Sequence, residues 1–253
     1  MRILLDKKAW IVLVLCLMTS LSCGGKVTTR TPPSEYKFTI NGVVVKDKNL
    51  DKDFAYFKIL RDSVTFDGAV VKAGAYTLTS QGSGNYYKEG SSLFGYGQNV
   101  TVTFSSSGDD FSTQASLVMP GNFNINPLSL PGDTLNPGGT EVTVTWGAAA
   151  SASGYVLSLV TPNVVPPAVG FNAIVKGLEK TIPVEAFRTT QGTLVEGVYD
   201  VYLVAYYGSF PEFPGIAFEL PEGLPTSNIS DANGTAGAGV IATKKRIRVT
   251  VEQ

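Results

Sequence analysis

Apolar and polar positions alternate with a period of two along most of this chain, the spacing of half-buried strands. Tyr36, Phe38 and Ile40 point one way, with Lys37 and Thr39 between them. Asn41-Gly42 follows and then Val43–Val45, which predicts a hairpin turn at the Asn-Gly pair. Further strands are predicted over 54–60, 64–66, 69–71, 75–79, 99–104 and 112–119, with turns at Asp67-Gly68 and 105–109. Residues 120–139 hold Pro120, Pro127, Pro131, Pro137 and several glycines, which break pairing and predict a boundary. Residues 123–130 are either the first strand beyond it or part of the link. Alternation then resumes in Val142, Val144 and Trp146, in Tyr155, Leu157 and Leu159, in Tyr199, Val201, Leu203 and Ala205, and in Ile247, Val249 and Val251. No stretch after the N-terminal segment keeps apolar residues at helical spacing for three turns. The pattern predicts an all-β protein of two tandem β-sandwich domains, 36–120 and 121–253.

Over about residues 122–253 the sequence resembles a fibronectin type III module, one of the immunoglobulin-like sandwiches. Trp146 closes the Val-Thr-Val-Thr-Trp segment, where that family carries a tryptophan on its second strand. Tyr155 opens a third strand, and Tyr199, Val201, Leu203 and Ala205 match the family's Tyr-x-Val-x-Val-x-Ala strand. Leu194 and Gly197 before Tyr199 are similar to the family's tyrosine corner. The resemblance implies a buried Trp146 and Tyr199, with the Tyr199 hydroxyl bonded back to nearby backbone. The connection from Tyr206 to Gly239 is much longer than such a module usually has.

The N-terminus changes the picture. Arg2, Lys7 and Lys8 outweigh Asp6, and 9–18 is an apolar run of ten residues. That is too short for a spanning helix, which needs roughly 20 residues, but it suits the core of a secretory signal. Ser22-Cys23 follows, and the stretch resembles the lipobox of bacterial lipoproteins. The resemblance implies cleavage before Cys23, lipidation of its thiol, and an envelope protein lipid-anchored to a membrane, with the outer membrane or cell surface as the expected place. The alternative is an ordinary secretory signal with an incidental cysteine. The chain has two cysteines, and the other, Cys16, lies inside the apolar run. An exported chain with one thiol and no disulfide partner calls for an explanation, which lipid attachment supplies. Residues 23–35 contain almost no large apolar side chain and read as a flexible tether.

Composition narrows the chemistry. Without residues 1–22 the chain loses three basic and one acidic residue and carries net charge −3, so no basic field for nucleic acid exists. Histidine is absent, which removes the commonest general base, the commonest zinc ligand and every Ser-His or Cys-His nucleophile. No cofactor is expected. Asp47, Asn49, Asp51 and Asp53 place oxygens at every second position, as calcium loops do, but Lys52 stands where the tight turn needs Gly and Lys58 where the closing Glu belongs. A solvated loop is expected there, a plain turn at Asp231–Gly234, and no metal site.

Two aromatic segments remain, 85–97 with Tyr86, Tyr87 and Tyr96, and 206–225 with Tyr207, Phe210 and Phe213. Aromatics on loops of a rigid sandwich form platforms for a sugar or a protein partner; packed under their own loops they are structural. The leading expectation is a non-enzymatic, membrane-anchored lipoprotein that presents β-sandwich domains for binding or structural roles. The alternatives are a carbohydrate-binding module built on the two aromatic loops and a carboxylate-based hydrolase.

Overall fold

The computed structural model describes residues 37–251 except 137, 140, 161–166, 211–212, 214–215, 219, 221–228 and 230–231. The signal, Cys23 and the tether lie outside the described residues, as do Tyr36 and Asp231. The first nine strands are β1 (Phe38–Asp47), β2 (Lys52–Arg61), β3 (Val64–Thr65), β4 (Val70–Ala73), β5 (Tyr76–Thr77), β6 (Thr79–Gly82), β7 (Asn85–Gly90), β8 (Asn99–Ser106) and β9 (Phe111–Val118). The rest are β10 (Thr134–Leu135), β11 (Glu141–Thr145), β12 (Gly154–Val160), β13 (Phe171–Val175), β14 (Glu179–Pro183), β15 (Gly197–Gly208), β16 (Asn233–Ile241) and β17 (Lys245–Val249). Two short 3-10 turns, Pro131–Asp133 and Val184–Phe187, are the helical elements among the described residues.

The fold is all-β, and its two sandwiches share a sheet. The large sheet runs β6-β7-β2-β1-β16-β15-β12-β13, with β17 and β10 continuing it beside the first half of β15. One smaller sheet, β5-β4-β8-β9, covers the inner face of β1, β2 and β7; the other, β11-β14, covers the inner face of β12 and β15. Alternation places the covering side chains. β8 buries Val100, Val102 and Phe104, and β9 buries Phe111, Ala115 and Leu117. Phe38 stacks on Phe111 at 3.9 Å, and Phe57 meets Phe104 edge-on at 5.1 Å. In the second sandwich Trp146 lies against Tyr155 at 5.4 Å, and Phe187 against Tyr199 at 5.0 Å.

Trp146 and Tyr199 are both buried, as the sequence predicts. The Tyr199 hydroxyl donates to the Val195 carbonyl at 2.8 Å, the bond that a tyrosine corner makes. The Trp146 indole Nε1–H is buried without a hydrogen-bond partner among the described residues.

The predicted Asn41-Gly42 hairpin is corrected: β1 runs straight through both residues. Asn41 turns its side-chain oxygen to Thr235, accepting from its backbone N–H at 3.1 Å, and Gly42 lets β2 approach, since a Cβ there would sit 2.2 Å from the Tyr56 carbonyl. The chain reverses instead after Asp47. The β1 edge released by the missing turn pairs in parallel with β16, from Thr39 against Asn233 to Asp47 against Ile241. On its other edge β16 pairs with β15, so the sheet does not divide between the sandwiches.

The turn after β1 also docks on the second sandwich. The Lys48 ammonium donates to the Asn122 side chain at 3.1 Å, the Phe123 carbonyl at 2.8 Å and the Asn124 side chain at 2.5 Å. All three acceptors are neutral, and burial pulls the Lys48 ammonium below its ordinary value. Asn49 donates to the Ala242 carbonyl and accepts from the Lys244 N–H. The segment that resembles a calcium loop therefore plugs the connection between β9 and β11 and the bend between β16 and β17.

The outer face of the shared sheet carries a second core. Val43, Val45, Phe54, Val156, Val204, Tyr206 and Ile241 are buried beneath Phe210, Phe213 and Phe218 of the segment after β15. Gly237 and Gly239 make room for that segment. A Cβ on Gly239 would lie 2.1 Å from the Phe210 ring, and one on Gly237 would collide with the Ser209 carbonyl. Gly239→Val should cost about 1–3 kcal/mol by overpacking, about 2–4 °C in melting midpoint per kcal/mol for a chain of this size. Gly108→Ala, where a Cβ meets nothing within 4 Å, should leave the midpoint unchanged. Equal melting curves for the two variants would contradict this packing.

Candidate functional site

The aromatic residues predicted as a platform separate into different environments. Tyr86 is buried on the inner face of β7, where its hydroxyl accepts from the Ala69 N–H at 2.9 Å and donates to the Phe66 carbonyl at 3.0 Å. It ties β7 to the β3–β4 connection and is corrected from binding residue to structural anchor. Phe210 is fully buried over the two glycines of β16 and is corrected in the same way. Tyr207 is half-buried and packs toward the main core. Tyr96 is exposed, with the Lys46 ammonium 5.2 Å from its ring centre. The reading of 85–97 as a loop missed β7, whose period of two sends Tyr86 inward and Tyr87 outward.

Tyr87 and Phe213, one from each aromatic segment, meet in a cleft of about 220 Å³ on the outer face. Phe54 sits between them, with ring centres 6.3 Å from Tyr87 and 5.0 Å from Phe213. Tyr202 and Phe218 form the opposite wall at 5.2 Å. Asp47, Asn49, Leu50 and Lys52 from the start of the first hairpin, Glu89 from β7, Ile241 from β16, and Ile216 and Ala217 beside Phe218 also line it. Lys52, Phe54 and Tyr202 went unread as site residues because each lies within a strand. The signal that could have found them is their position: Phe54 and Tyr56, which share the outer face of β2 with Lys52, are too apolar for a solvated face.

The charged groups at the rim are engaged with one another. The Tyr87 hydroxyl donates to Glu89 at 3.0 Å, and Lys52 lies 3.6 Å from the same carboxylate, with Lys52 and Glu89 each half exposed. Beyond Tyr202, the Lys244 ammonium donates to Asp200 at 2.6 Å and to the Tyr202 hydroxyl at 3.4 Å. The hydrogen bond to Asp200 holds the Lys244 ammonium above its ordinary value. Asp47 accepts from the backbone N–H groups of Asn49 and Leu50, capping its own turn, and Asp53 is buried with its oxygens on the Lys46 ammonium and the Phe94 N–H. The oxygens of the calcium-like stretch thus serve the hairpin and its neighbours separately, and no metal-holding cluster occurs among the described residues. Of the Asp231–Gly234 stretch, Asn233 and Gly234 begin β16.

Neither a protein-family description nor a curated protein matches this chain. Among solved structures, it is similar to fibronectin(III)-like modules of Clostridium thermocellum CbhA, at 10% identity, covering 85% of this chain and 94% of that one, with a TM-score of 0.29.

Burial first, then the hydrogen bond and charge of Glu89, push the Tyr87 phenol up to about 12. Its folded value lies above the unfolded value near 10, so folding favours the protonated phenol. That contribution is complete below pH 10 and is lost as pH rises toward 12. Relative to wild type, Tyr87→Phe should melt lower at neutral pH, and the gap should narrow between pH 10 and 12. A gap constant across that range would show that the Tyr87 proton is not held by the folded cleft.

Proposed function

We infer that this is a non-catalytic lipoprotein of the bacterial cell envelope, anchored through Cys23, which works by presenting a rigid β-sandwich surface for binding. The observation that carries the reading is the joined sheet. One hydrogen-bonded array with a continuous core runs from Phe38 to Val249, which suits a presented surface better than a mobile active site. The cleft supports the same reading. Its carboxylates are committed to a turn and to a lysine–tyrosine pair rather than standing as an acid and a base, and the chain has no histidine. Cys23 stands fourteen residues before Lys37, the first residue described, so the polar stretch between them can serve as a tether. Two or more acyl chains, at about 0.8 kcal/mol per buried CH₂, hold such a protein stably on a membrane.

The anchoring is tested by labelling cells with a radioactive fatty acid. The wild-type chain should take up label and partition with membranes, and Cys23→Ser should do neither. Equal label in both would remove the lipoprotein reading and leave a secreted protein.

A further inference from the structure

The cleft has a chemistry that sorts its ligands, and the inference from it rests on the binding role above. Its floor and walls are aromatic: Phe54, Phe213 and Phe218 are buried, while Tyr87 and Tyr202 are half-buried. Its rim is polar. Lys52 and Glu89 stand half exposed on one side, and the Tyr202 hydroxyl, held by Lys244, stands on the other. Among the described residues the lining holds one cation against two carboxylates, Asp47 and Glu89, a balance that does not favour a phosphate or sulfate. The lining residues of the strands point off the face of the sheet. A peptide there finds no ladder of backbone donors and acceptors, which only a strand edge supplies. A volume of about 220 Å³ is small beside the sites of extended ligands, which run to about 300–1,000 Å³.

A ring with an apolar C–H face and hydroxyls around its edge satisfies all of these conditions. We propose that the cleft between Tyr87, Tyr202 and Phe218 binds one neutral pyranose unit of a glycan, with its C–H face against the aromatic rings and its hydroxyls on Lys52 and Glu89. Tyr87 orients Glu89 through its hydroxyl, so the carboxylate is placed before the sugar arrives. The glycine pair of β16 contributes at one remove, by letting Phe210 seat the segment that carries Phe213 and Phe218.

The test uses the full chain in detergent micelles and saturation-transfer NMR against three probes. These are a panel of neutral hexasaccharides (cellohexaose, maltohexaose, mannohexaose and chitohexaose), a polysialic acid oligomer, and a prolyl-rich peptide. At least one neutral hexasaccharide should receive saturation on its ring C–H protons. Tyr87→Ala and Tyr202→Ala should each weaken its Kd about tenfold or more, equivalent to about 1.4 kcal/mol. Glu89→Gln, nearly the same shape, should weaken it with the fold intact, and Tyr96→Ala, outside the cleft lining, should leave it unchanged. Saccharide binding that survives all three cleft variants would overturn this placement and leave the binding role standing. Binding of the acidic oligomer or the peptide alone, or of no probe, would overturn the pyranose assignment. Cleavage of a hexasaccharide would overturn the non-catalytic reading itself.

Discussion

Nine consecutive residue pairs hold β1 parallel to β16, joining the first described strand to one near the end of the chain. Parallel neighbours need a crossover, usually a dozen or more residues long, and here the crossover is most of the protein. β1 is paired on both edges, by β2 and by β16, and buried on both faces, with Phe38, Ile40 and Val44 on one side and Val43 and Val45 on the other. Neither sandwich can satisfy this arrangement alone. Without β16, β1 would expose a row of unpaired backbone groups, and without β1 the same would hold for β16. Each backbone hydrogen bond of the seam contributes about 0.5–1.5 kcal/mol net, and both strands bury side chains on either face, so the seam joins the halves more firmly than a polar surface contact would. The closure is long-range in sequence, which makes folding slow rather than the fold weak.

Because the sheet is continuous, its outer face is continuous too, and the cleft lies across the seam. Asp47, Asn49, Lys52, Phe54, Tyr87 and Glu89 come from the first sandwich, and Tyr202, Phe213, Phe218 and Ile241 from the second. The cleft exists only while the two are registered against each other. Lys48 and Asn49 guard that register at the end of the sheet nearest the cleft, one on the connection to β11 and the other on the bend before β17. A cleft assembled this way takes most of its lining from the sheet, and the segment after β15 adds Phe213 and Phe218.

The sequence carried the local part of this fold clearly. Strict alternation marked β8, β9 and β11, and the inward positions of β15 and β17 agree from Tyr199 to Val249, though Val251 beyond β17 is exposed. The tyrosine-corner resemblance led to a hydrogen bond that the structure contains. The strands with two buried faces were less legible. β1 reads as a hairpin because Asn41-Gly42 is also the sequence of a turn, and only β2 and Thr235, far along the chain, explain an Asn and a Gly inside a strand. β16 is nearly all Gly and Ala between Asn233 and Val240, so no alternation was there to see. Its glycines Gly237 and Gly239 make sense only beneath Phe210, while Ala236 and Ala238 face the main core. The site failed in the same way. Tyr87 and Phe213 were named from their segments, whereas Phe54, Lys52 and Tyr202 reach the cleft through strand pairing that spacing along the chain does not reveal.

Pairing of β1 with β16 makes the two sandwiches one cooperative body. Calorimetry of the Cys23→Ser chain tests it most directly, since independent domains melt separately and a single body does not. One transition is expected, with calorimetric and van't Hoff enthalpies that agree. Two resolved transitions, or a calorimetric enthalpy near twice the van't Hoff value, would contradict it.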